Sequence, residues 1–148
     1  MFSEKFLERA NRLIDIQFVE RRKQVPLAIS KVKNEHNARG VLRSSMTDAR
    51  IKEICEGEIE IRAILAWQSL VRVLQTLGIQ SSDDIAVDLK EFLSAVINSS
   101  YAELTQILSQ NLMNMMTTEQ VSLEEARDHV IAKHEIEIAI YVGTRENS

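Results

Sequence analysis

The chain has 148 residues, with 18 Lys or Arg against 22 Asp or Glu and a formal net charge of −4 at pH 7. Hydrophobic residues make up 45%, which is ordinary for a globular domain and too high for the composition of disorder. Four Gly and one Pro are too few for a loop-rich sandwich, and a single Cys excludes an intrachain disulfide and suits a reducing, cytoplasmic location.

The first helix is expected to start at Ser3, whose hydroxyl can cap it, with Phe2 and Leu7 placed as a hydrophobic staple. Phe2, Phe6, Ala10, Leu13, Ile14 and Phe18 recur at helical spacing, and Arg21-Arg22-Lys23 would complement the C-terminal dipole. Val25-Pro26 is expected to mark a boundary, because proline is tolerated only in the first turn of a helix. A second helix then runs from about Pro26 and ends near Gly40.

Thr47 can cap a long central helix, about 48–77, that Gly78 would close. Its apolar residues occupy two faces. Ile59, Ala63, Ala66, Trp67, Leu70 and Leu74 share one, whereas Ile51, Ile54, Cys55, Ile61 and Leu65 lie on another. The helix either bends near Gly57 or touches two neighbours, and one neighbour could be another subunit.

Ser81-Ser82-Asp83-Asp84 reads as a further start, with Ile85, Leu89, Phe92, Leu93, Val96 and Ile97 as the stripe behind it. Asn98-Ser99-Ser100 is expected to interrupt that helix, and Ser100 with Glu103 to open the next as a capping box. Ser122 with Glu125 opens the last one. His134 to Ile140 alternates as a strand would, but continuous helix is preferred, since a lone ribbon paired with Glu58-Ile59-Glu60-Ile61 would be marginal. The sum is an all-α, single-domain bundle of about six helices over 1–148, with a frayed tail at 143–148.

Charge is distributed unevenly. From Arg21 to Lys52, nine basic residues face only Glu35 and Asp48, a net of +7. Phosphates and acidic partners are both attracted to such a concentration. The stretch contains no Phe, Tyr or Trp for base stacking and no zinc-finger or helix-turn-helix pattern. Candidate anion or partner contacts are Arg21, Arg22, Lys23, Lys31, Lys33, His36, Arg39, Arg43, Ser44 and Thr47. The junction from Arg39 to Thr47, with Arg43, Ser44 and Ser45, is where hydroxyls, guanidiniums and free N–H groups at a helix start could meet one anion.

Catalytic and metal signals are weak. No His follows a carboxylate by three positions, and Cys55 lies on an apolar stripe where a buried, inert thiol is the default. Leu112, Met113, Met115 and Met116 read as core filling or an adaptable patch. No cofactor is implied, and no run approaches the ~20 apolar residues of a membrane span. MFSEKFLERAN also lacks a signal-peptide apolar core.

The leading expectation is a non-enzymatic helical interaction or assembly protein. It would self-associate, most simply as a dimer, with Ile51, Ile54, Ile61 and Leu65 as the candidate oligomer face. A protein partner at the basic segment is compatible with it. The alternatives are a nucleic-acid-associated accessory protein that binds phosphates, and a small enzyme for an anionic metabolite around His36, Arg39 and Arg43.

Overall fold

A computed structural model describes residues 2–80, 82–113 and 121–146. They form α1 (Glu4–Ala38), α2 (Ser45–Thr76), α3 (Asp83–Asn111) and α4 (Glu124–Glu146). The class is all-α as expected, but among the described residues the helices number four rather than about six.

Both surplus boundaries dissolve for the same reason. Val25, Ile29, Val32 and His36 continue the buried stripe of Phe6, Ala10, Ile14 and Phe18 in phase, so α1 passes through Pro26 without losing its core face. Likewise Ser100 is buried in line with Leu93, Ile97, Leu104 and Leu108, and α3 runs through Asn98-Ser99-Ser100. Unbroken apolar phase outweighs a local breaker when tertiary burial is at stake.

The ends follow the capping chemistry more closely. The Phe6 N–H donates to Ser3 Oγ at 3.2 Å, and Phe2 stacks on Phe6 with centroids 3.9 Å apart. Ser82 caps α3 by accepting from the Ile85 N–H, and Ser122 accepts from Glu124 at the start of α4. Gly40 and Gly78 take φ of 75° and 64°, the left-handed geometry that ends α1 and α2. The Val41 N–H then reaches back to the His36 carbonyl and Ile79 to Leu74. Ser44, not Thr47, occupies the cap position of α2. Residues 143–146 are the last turn of α4, and Asn147 and Ser148 fall outside the described residues.

α2 is the axis of the bundle. It packs on α1, α3 and α4, and α3 also packs on α4, while α1 touches only α2 backbone to backbone. Most of the two apolar faces of α2 is therefore covered inside one chain, Ile61 excepted. Ile51 and Cys55 are fully buried like Ile59, Ala66 and Leu70, and Gly57 lies within the continuous helix. α1, with 35 residues, is longer still than α2, with 32. α4 is helical through His134–Ile140, turning Ile138 into the core and leaving Ile136 and Ile140 outside. No helix among the described residues is long and apolar enough to cross a membrane.

Pro26 removes the N–H that would bond the Arg22 carbonyl, a cost of about 3 kcal/mol against alanine in a helix interior. Pro26→Ala should therefore raise the urea-unfolding free energy by about 1–3 kcal/mol. Unchanged or lower stability would mean that the packing itself needs the proline geometry.

Candidate functional site

Two members of the basic segment point inward. Arg21 Nε of α1 donates to both carboxylate oxygens of Glu58 on α2, at 3.2 and 3.3 Å. Arg62, one turn further along α2, donates from Nε to Glu58 at 2.9 Å and from Nη1 to Glu103 of α3 at 2.8 Å. Arg22 closes the chain by donating to the other Glu103 oxygen at 3.1 Å. The order is Arg21, Glu58, Arg62, Glu103, Arg22, and it ties three helices together.

Burial makes this more than a surface pair. Glu58 and Arg62 are 2% and 1% exposed, and the Arg22 and Arg62 guanidiniums each lie over the Phe18 ring, at 5.9 and 5.6 Å from its centroid. Arg62 Nη2 is buried with no partner among the described residues. Removing two charges from water costs several kcal/mol each, so the network stabilises only while every member stays in place. Its hydrogen bonds to Glu58 push the Arg21 guanidinium above its ordinary range. Burial alone would raise the Glu103 carboxyl, but Arg22 and Arg62 outweigh it and hold that group below the usual carboxylate range.

A second inward cluster closes the α1–α2 turn. His36 is buried, not exposed as a helix histidine of this composition would be expected to be, and its Nδ1 lies 2.7 Å from Thr47 Oγ1. Thr47 and Ser44 both donate to the Val41 carbonyl, at 3.0 and 2.6 Å. With the threonine proton on Val41, Nδ1 of His36 is the donor to Thr47. Buried Asp48 accepts the Met113 N–H at 2.6 Å and so fastens the end of α3 to the start of α2.

The ten candidate contact residues thus separate. Arg21 and Arg22 are held in the network, His36, Ser44 and Thr47 hold the turn, and Lys33 donates to Asn111 of α3 at 2.8 Å. Lys23, Lys31, Arg39 and Arg43 remain exposed. Ser44 and Thr47 direct their hydroxyl protons to the Val41 carbonyl, while the Arg39 and Arg43 side chains stay exposed.

The candidate oligomer face also divides. Ile51 has no surface to offer, Ile54 and Leu65 lie half-buried against the core, and Ile61 is exposed. Cys55 is enclosed, and burial pushes its thiol up to about 12. Trp67 is half-buried, edge-on to Tyr141 at 5.6 Å. Met113 lies at the end of α3, whereas Met115 and Met116 fall outside the described residues.

Glu58, Arg62 and Glu103 escape the sequence reading. One signal was present: Glu58 and Arg62 lie at the same helical phase as buried Ile51 and Cys55, four residues apart and opposite in charge.

The outward side of α1 is the other unusual feature. Lys5, Arg9, Arg12, Ile16, Val19, Lys23 and Leu27 succeed one another at steps of three or four residues, all exposed, with no acid among them. Those cations form no ion pair among the described residues.

Glu58→Ala leaves Arg21 without a carboxylate and buried Arg62 with Glu103 alone, and should cost about 3–5 kcal/mol by urea unfolding. A loss under about 1 kcal/mol, the range of an exposed pair, would contradict the buried network. Because the folded Glu103 carboxyl is held low, its contribution is complete above the unfolded value of about 4.3 and is lost as pH falls through the folded one. Melting curves should show the wild type losing stability below about pH 5, with Glu103→Gln less stable at neutrality but flatter on the acid side. Parallel acid limbs would remove Glu103 from that role.

No family model, curated protein or solved structure matches this chain, so its function is read from its own residues.

Proposed function

We propose that this is a non-enzymatic helical assembly protein that associates with its own kind through the outward face of α1. One observation carries the reading. Ile16, Val19 and Leu27 are 63%, 53% and 63% exposed in a row along α1, among cations that no acid of the same stripe balances. Apolar side chains in line on a helix face cost solvation unless a partner covers them. The basic segment contributes Lys23 to this face, while its Arg21 and Arg22 are paired to Glu58 and Glu103.

A phosphate-binding role is the second reading. It is favoured by Lys31, Arg39 and Arg43, which lie exposed towards the α1–α2 turn. Enzymatic work at His36 has less support, because that ring is enclosed and bonded to Thr47.

Sedimentation over a wide concentration range should show a mass that rises with protein concentration. Ile16→Asp with Leu27→Asp should abolish the rise without altering the far-UV spectrum, since both side chains are exposed. A wild-type chain that stays monomeric throughout would contradict the reading.

A further inference from the structure

We propose that the surface covering the outward face of α1 is α3 of a second copy, packed parallel to it. The inference rests on self-association and adds the partner element, its direction and its register. It begins with a comparison of two helix faces in the same chain.

On α1 the outward stripe begins Lys5, Arg9, Arg12, Ile16, Val19 and Lys23. On α3 the stripe turned away from buried Leu89, Leu93 and Ile97 reads Asp84, Asp88, Glu91, Ala95, Asn98 and Ala102. Both advance by four, three, four, three and four residues, the alternation that keeps a seam facing a partner helix. Each runs about 27 Å at 1.5 Å per residue.

Laid parallel and in register, Lys5 meets Asp84, Arg9 meets Asp88 and Arg12 meets Glu91. Ile16 then meets Ala95, a large side chain opposite a small one, and Val19 meets Asn98. Three cations oppose three acids at one end, and Lys23 reaches Ala102 at the other. All twelve positions are exposed except Asp88, which is half-buried and already has a contact within its own chain. The charge argument therefore falls on Asp84 and Glu91, which form no ion pair among the described residues.

The obvious alternative, α1 on α1, fails on charge. An antiparallel pair centred on Ile16 and Val19 places Lys23 against Arg12, and a parallel pair places each cation on its own copy. Like charges directly opposed disfavour both.

Direction also constrains the assembly. α1 and α3 run the same way within the fold, because each is antiparallel to α2: Arg21 and Arg22 lie level with Glu58 and Glu103, and Lys33 lies level with Asn111. A parallel α1–α3 contact between copies sets the bundles side by side, pointing alike. Each copy offers one α1 face and one α3 face, so the contact either closes reciprocally about a two-fold axis parallel to the helices or repeats into a row or ring.

The test is a reciprocal charge swap in the full chain, read by sedimentation. One variant carries Lys5→Glu, Arg9→Glu and Arg12→Glu, and the other carries Asp84→Lys and Glu91→Lys. Each alone should associate at least about tenfold more weakly than wild type, because each presents like charge at both faces of the contact. An equimolar mixture should recover association, since the altered face of one variant then complements the altered face of the other. Circular dichroism melting of both confirms that the bundle is intact.

Wild-type association that survives in both variants, or a mixture that fails to recover, overturns the α1–α3 contact while leaving self-association standing. A wild-type chain that stays monomeric overturns both. If that monomer is retained instead on anionic vesicles or on duplex DNA, the outward face of α1 belongs to that ligand, and the contact between copies is equally overturned.

Discussion

The arrangement depends on Arg62. From the middle of α2 its guanidinium reaches Glu58 on its own helix and Glu103 on α3, and those carboxylates in turn hold Arg21 and Arg22 of α1. α1 and α3 make no close backbone contact, so these side chains, with Lys33 and Asn111, bridge the gap between them. Apolar burial along α2 would tolerate a small slide of α1. An alternating string of charges centred on buried Glu58 and Arg62 does not, because displacing a neighbour leaves a buried charge less compensated.

That network also sorts the positive charge of the N-terminal third. Arg21 and Arg22 are paired to carboxylates on the bundle side of α1, whereas Lys5, Arg9, Arg12 and Lys23 are on the far side of the same helix. One helix thus bears two charged stripes with different tasks. The inward arginines fix α1 on the bundle, and by doing so they fix the direction in which the outward stripe faces. A stripe on a rigid helix can select a partner by register, which the same residues on a loose segment could not.

How far the sequence could be read varied with the range of the interaction involved. Caps at Ser3 and Ser82 and the glycine stops at Gly40 and Gly78 were legible, because each depends on a few neighbouring residues. Pro26 and Asn98-Ser99-Ser100 misled for the same reason: a local preference was read where the apolar phase continued unbroken across it. The two faces of α2 were visible, but their neighbours were not, and Ile51 proved to belong to the core rather than to an oligomer face. Arg21 and Arg22 could be seen as a basic run. Their partners lie 37 and 81 residues away, and nothing in a single sequence reports that separation.

The most direct measurement is zero-length carbodiimide cross-linking of a mixture of isotopically light and heavy copies, read by mass spectrometry. The proposed contact predicts mixed-isotope links between Lys5 of one copy and Asp84 of another, lost at high salt. Links confined within single copies, or links between copies that avoid α3, would contradict it.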